Sequence, residues 1–325
     1  MNLPRRQHYI PQFLLKQFGT GKAKRVNVFD KSTGRTFLAG TTKVAVRKNI
    51  YNIEKDGYVA SIEPSLSDLE GKWAPILKKI LRRDSLRDLS ILDKVHLSVL
   101  IVHLRLRSPN SDEFRATMLE GIRERVRSLG GDPDEIEQTR HVSPEEDKLL
   151  SIQLIQSLPG KIAPELVMKR WALHSTVPSR SLYFSDNPVI LNNSRPAPQG
   201  LGNLGFAVPG IEVYLPISST RCLAVYCPSH FGGPTEISAE PIDPMLVDSL
   251  LQDQSKLSQI LNDSHPPVND GKPLALPEES VLFLNSQQVR FAERYLFAAM
   301  DDFVLAERMI DEYKELRSGP RPVVT

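Results

Sequence analysis

The sequence predicts an α+β fold, with a mixed or antiparallel sheet, a largely helical middle and a helical end. Two observations carry that expectation. Strand-like segments fall into two groups, residues 25–53 and 168–228, and the apolar period between them is helical, over residues 64–158. Strands and helices nowhere alternate one for one, which argues against a doubly wound parallel sheet.

The elements follow in order. Ile10 precedes Pro11 and is pushed into extended backbone. Pro11 is suited to the first position of a short helix, with Leu14 and Phe18 on its buried face and Gly19 and Gly21 stopping it. Arg25–Phe29 and Arg35–Leu38, joined by Asp30-Lys-Ser-Thr-Gly34, predict a β-hairpin, and Asn49–Ile53 a weaker third strand. From Pro64, one helix face carries Leu66, Leu69, Trp73, Ile76, Leu77 and Ile80. Ser90-Ile-Leu-Asp93 has the form of a capping box opening a helix to Arg107 that is apolar nearly all round. A charged helix is expected over 112–128, then a linker at Gly130–Pro133. A second capping box at Ser143 opens a helix to Leu158. Strands are predicted over 168–176, 182–191, 212–217 and 221–227, with a loop over 195–210. A helix from Pro244 to Leu261, a loop over 265–277 and a helical end over 286–316 complete the chain. Gly200–Gly205 spells G-x-G-x-x-G, but it neither follows a strand nor opens a helix, so it is set aside as a nucleotide loop.

Composition limits the function classes. The chain has 325 residues, 40% hydrophobic and 25% charged, ordinary for a globular protein. No apolar run reaches the ~20 residues of a membrane helix. The first residues lack a signal core, so a cytoplasmic protein without a membrane partner is expected. Cys222 and Cys227, five apart on a strand, face opposite sides, which disfavours a local disulfide or shared metal. The net charge is only +2, yet residues 1–50 hold 11 Lys/Arg and a single acid, Asp30. The rest holds 30 Lys/Arg against 38 Asp/Glu. Such a basic segment either binds nucleic acid or phosphate, or docks on the acidic helices of its own chain.

Four places could carry chemistry. His8-Tyr9, at a strand-to-helix junction, supplies a general base, metal ligand or phosphate partner, or packs the junction. No histidine follows until His96. Ser185-Asp186-Asn187-Pro188 interrupts an apolar strand, and buried polar groups cost free energy unless bonded. Asp186 reads as a catalytic or metal-binding carboxylate with Asn187 orienting a ligand, or as a turn bonded to its own backbone. Arg105 and Arg107 end the buried helix, favouring its dipole or holding an anion. Asn285 caps the last helix or joins a site.

These segments resemble a bacterial family, domain of unknown function 4238. The resemblance rests on His8–Phe18, Val26–Lys31, Ile62–Glu70, Arg105–Pro109, Tyr183–Val189, Tyr214–Ile217, Leu284–Asn285 and Ala292–Tyr295, with Phe184 standing where the family usually has threonine. The resemblance implies one fold across residues 1–325 and brings no established activity. Two readings follow. One is a hydrolase on nucleic acid or another phosphate compound, with His8 and Asp186 catalytic, Tyr9, Arg105, Arg107, Asn187 and Asn285 binding, and a divalent metal as the candidate cofactor. The other is a non-catalytic binding module. His8, Arg107, Asp186 and Asn285 are expected to line one pocket, and the binding module would hold its partner in that pocket or on the basic surface of residues 1–50.

Overall fold

The structure is a computed structural model that describes residues 4–55, 58–196, 202–231 and 267–322. The helix expected over 244–261 lies outside the described residues.

Arg6–His8 (β1) pairs antiparallel with Val46–Lys48 (β4). Between them come the short helix Gln12–Leu15 (α1) and the hairpin Arg25–Asp30 (β2) and Arg35–Gly40 (β3). The expected third strand at 49–53 is displaced. Asn49 adopts a left-handed φ of 54° that ends β4, and the strand begins at Asn52. Asn52–Lys55 (β5) then pairs with Tyr58–Ser61 (β6).

The helices follow. Glu63–Arg83 (α2) buries Leu66, Trp73, Ile76, Leu77 and Ile80, the expected stripe. Ile91–Leu106 (α3) opens on the expected capping box. Pro109–Ser128 (α4) starts three residues early because Ser108 caps it and Pro109 fits its first turn, where the missing N–H costs nothing. Pro144–Val167 (α5) opens on its capping box but runs nine residues past Leu158, through Pro159 and Pro164. Packing against α3 offsets the backbone bonds those prolines remove.

Two larger sheets complete the core. Arg170–Ser175 (β7), Glu212–Ser218 (β10) and Arg221–Tyr226 (β11) match expectation. The strand expected over 182–191 is two: Phe184–Ser185 (β8) and Ile190–Asn192 (β9). Leu274–Ala275 (β12) was expected as loop. The helical end is really Glu278–Phe291 (α6), the strand Tyr295–Ala298 (β13) and Val304–Glu312 (α7). The four-stranded sheet runs β3-β2-β13-β8, all antiparallel, so the first hairpin pairs with a strand some 270 residues later. The five-stranded sheet runs β12-β7-β11-β10-β9, with β12 parallel to β7.

The fold is therefore α+β with antiparallel and mixed sheets. One apolar cluster draws on Leu14, Phe18, Trp73, Leu100, Trp171, Phe184, Leu223 and Phe297. Phe18 stacks on Phe184 at 4.7 Å, which pins the opening segment to β8. Among the described residues, no helix is long and apolar enough to cross a membrane.

Candidate functional site

Ser185–Pro188 is the crossover between the two sheets. Phe184 and Ser185 pair with β13, while Ile190 already pairs with β10. A chain leaving one sheet for the other passes through the interior, where each backbone and side-chain polar group needs a partner. The motif residues meet that need themselves.

Asp186 is 1% exposed. Its Oδ1 accepts from the Glu293 N–H at 2.7 Å, and its Oδ2 accepts from Arg294 and Tyr295 N–H at 2.8 Å each. Its own N–H donates to the Tyr295 carbonyl at 3.0 Å. Three successive amides thus wrap one carboxylate. Burial raises its pKa, against the pull of those amides and of Lys31. Lys31 is 0% exposed and donates through Nζ to the Ala292 carbonyl at 2.6 Å. Burial depresses its pKa, partly offset by Asp186 and Glu293. The 291–295 turn is thereby gripped from both sides.

Asn187 extends the clamp. Its Nδ2 donates to the Phe291 carbonyl at 3.0 Å, and its Oδ1 accepts from Arg105 Nη1 at 2.8 Å. Gln288 Nε2 donates to the Pro188 carbonyl at 2.9 Å. Asn110 donates to Glu293 at 3.2 Å. Arg105 is half-buried, and among the described residues no carboxylate pairs with it. Burial lowers its pKa to about 10.

The other expected residues form separate groups. Arg107 is 6% exposed and fully engaged. It pairs with Glu70 at 3.1 Å, bonds Tyr51 Oη at 2.7 Å and donates to the His8 carbonyl at 2.6 Å. This ties β1 to α2 and α3 and gives each of the three guanidinium nitrogens a partner within the chain. His8 Nε2 lies 3.0 Å from Gln12 Nε2, while its Nδ1 is buried without a hydrogen-bond partner. Burial first, then Arg107 and Arg6, lower its pKa and so disfavour the charged ring, against the pull of the Ala45 and Val44 backbone. Tyr9 is buried, and its pKa rises well above the ordinary value through burial and the nearby Asp186 charge.

Asn285 lies inside α6, not at its start. Its Oδ1 accepts from Tyr183 N–H at 2.8 Å, and its Nδ2 donates to the Ser181 carbonyl at 2.9 Å. Six residues of helix, about 9 Å of rise, separate it from Phe291. It lines a different, small cavity beside Tyr183, Met300 and Asp302. The structure thus joins Arg105 to Asn187, sets Tyr9 near Asp186 and links Arg107 to the His8 backbone. It leaves Asn285 apart, and no hydrogen bond connects His8 with Asp186. Among the described residues, no group of three or more His, Cys, Asp or Glu is arranged to hold a metal ion.

Sequence reasoning missed two groups. Lys31 and Asn110 gave no signal, because a lysine in a turn and an asparagine after a proline both read as surface. A polar row lies on the face of the five-stranded sheet opposite the apolar core. There His174 bonds Tyr226 Oη at 2.6 Å, and Tyr214 and Asn192 bond Glu212 at 3.1 and 2.7 Å. The period-two spacing of Glu212 and Tyr214 on β10 was the available signal.

A family model described as "Protein of unknown function (DUF4238)" matches residues 6–302. The chain belongs to the DUF4238 family. The match spans the Asp186 clamp and all seven residues expected at a site, and it stops before α7. The chain matches no curated protein and no solved structure.

Proposed function

We propose that this DUF4238 protein is a nucleic-acid-binding module that holds the phosphate backbone on the basic end built from residues 5–48. The observation that carries this reading is unpaired charge. Arg5, Arg6, Lys22, Lys24, Lys43 and Lys48 are all exposed, and none forms an ion pair with a described residue. Backbone pairing gathers them. Arg6 lies opposite Lys48 across the β1–β4 ribbon, and Asn49 N–H bonds the Arg5 carbonyl. Thr41 N–H bonds the Lys24 carbonyl, bringing the turn that holds Lys43 beside the turn that holds Lys22.

Docking on the chain's own acidic helices explains little of this charge. Among the described residues one contact does so, Arg47 to Asp112 at 3.4 Å, with side chains 40% and 44% exposed. Basic groups of this kind neutralise phosphates and release counterions, a sequence-independent contribution to affinity.

Binding is favoured over hydrolysis by how the candidate catalytic groups are used. Both Asp186 oxygens already accept backbone amides, and no hydrogen bond joins Asp186 to His8. The reading goes with a cytoplasmic location, which two free, buried cysteines support. Fluorescence anisotropy on labelled duplex DNA and single-stranded RNA tests it. Affinity that falls steeply with salt, and falls again in Arg6→Ala/Lys48→Ala, is the expected result. No binding at 50 mM salt overturns it.

A further inference from the structure

Beyond residue 302, where the family match ends, the chain folds back over the Asp186 clamp. Residues 318–321 cross it as an extended strap held by three side chains. Lys31 Nζ donates to the Ser318 carbonyl at 3.4 Å. Asn110 Nδ2 donates to the Pro320 carbonyl at 3.4 Å. Glu293 receives Arg321 in a two-pronged pair at 2.7 and 2.9 Å. Gly319 sits at the closest approach. A Cβ there would overlap Asn110 Nδ2 and meet Glu293 Oε2 at 2.6 Å. A cavity of about 640 Å³ lies alongside, walled by Arg290, Met309, Tyr313 and Leu316 with the strap itself.

This arrangement has the parts of a peptide receptor: donors for main-chain carbonyls, a crossing where any side chain larger than glycine's would displace Asn110 and Glu293, and a carboxylate that selects a guanidinium. The receptor groups also have partners outside the strap. Lys31 Nζ donates to the Ala292 carbonyl at 2.6 Å, Asn187 Nδ2 donates to Asn110 Oδ1 at 3.4 Å, and Asn110 Nδ2 donates to Glu293 Oε2 at 3.2 Å. The strap, by contrast, contributes no buried apolar side chain, since Leu316 precedes it and Gly319 is its one buried residue. Removing it therefore leaves the apolar core intact.

We infer that the cleft of Lys31, Asn110 and Glu293 is a binding site for extended peptide segments carrying glycine two residues before arginine, occupied in cis by Ser318–Arg321. The strap competes with such a segment in trans, because tethering gives it a high effective concentration. The site uses none of the exposed cations Arg5, Arg6, Lys22, Lys24, Lys43 and Lys48 that form the basic end.

The test uses the chain ended after Arg317 and a fluorescein-labelled peptide of residues 318–322, Ser-Gly-Pro-Arg-Pro. The shortened chain binds the peptide, and the full chain binds it at least about tenfold more weakly. Changing the peptide's arginine to alanine, or Glu293→Gln in the receptor, weakens binding by about tenfold or more. Changing its glycine to alanine weakens it by about tenfold, since Asn110 and Glu293 must give way. A shortened chain that keeps the full chain's circular dichroism and melting temperature but binds no peptide overturns the inference. So does equal binding of all three peptides. If the shortened chain fails to fold, Gly319→Ala in the full chain decides by hydrogen exchange. Lost protection confined to residues 314–322 supports the site, and unchanged protection there overturns it.

Discussion

Replacing Asp186 by alanine removes the acceptor of three consecutive amides at 2.7, 2.8 and 2.8 Å. A buried donor left without a partner costs about 1–3 kcal/mol. The low end suits this turn, because the Arg294 side chain beside it is 50% exposed and water is near. Three amides at that level give about 3 kcal/mol. Leaving Lys31 buried without its opposite charge adds about 1 kcal/mol more. The expected loss is about 4 kcal/mol, a large share of the 5–15 kcal/mol that holds a typical protein folded. Asp186→Asn should cost about as much, since the amide keeps one acceptor oxygen and turns an NH₂ toward an N–H. Urea unfolding followed by circular dichroism at pH 7 measures this. With a slope of about 3 kcal/mol/M, the midpoint falls by about 1.3 M in both variants. Lys31→Met added to Asp186→Ala should recover part of the loss, because the unpaired charge goes with it. An Asp186→Asn protein within about 1 kcal/mol of the parent refutes the reasoning and returns Asp186 to the list of functional carboxylates.

Arg107→Ala should cost about 3–5 kcal/mol in the same assay, because Tyr51 Oη and the His8 carbonyl keep only their mutual 3.4 Å bond and Glu70, which burial already disfavours as an anion, loses its partner. Asp30 accepts from Arg294 at 2.7 Å and from Ser32 Oγ at 2.7 Å, and these bonds outweigh burial to hold its pKa below 3.8. A depressed carboxylate adds stability above its unfolded pKa and loses it as pH falls through the folded value. The stability gap between the parent and Asp30→Asn should therefore be constant from pH 7 to 5 and shrink below pH 3.8 in urea titrations. One apolar cluster reaches from Tyr9 to Phe297, so calorimetry should show a single cooperative transition, and two resolved transitions would contradict the one-domain proposal.

The elements that the sequence made legible are those specified locally. Ser90 and Ser143 open helices with reciprocal side-chain bonds, and the apolar stripe of α2 marks its buried face at helical spacing. The elements that escaped depend on distant partners. β13 follows a helix after three residues and has only four of its own, so its strand identity comes from β2 and β8 on either side. α5 passes two prolines because α3 supports it. Ser185–Pro188 was legible as a polar break in an apolar run, since no strand tolerates three unbonded polar residues. Which partners satisfy it was not legible, because Lys31 and residues 293–295 lie more than 100 positions away on either side. Arg107 illustrates the same limit. A cation at a helix end reads as an anion holder, and only the fold reveals that Glu70, Tyr51 and His8 use it fully.

The measurement that bears most directly on the central proposal is the salt dependence of nucleic-acid affinity. With about five phosphates neutralised, log K against log[salt] for duplex DNA should have a slope of about −4.5 between 50 and 200 mM. Arg6→Ala/Lys43→Ala/Lys48→Ala should reduce the steepness by about 2–3 and leave the unfolding midpoint unchanged, since all three side chains are exposed. A slope that these substitutions do not alter, or no detectable binding at 50 mM salt, would contradict the account.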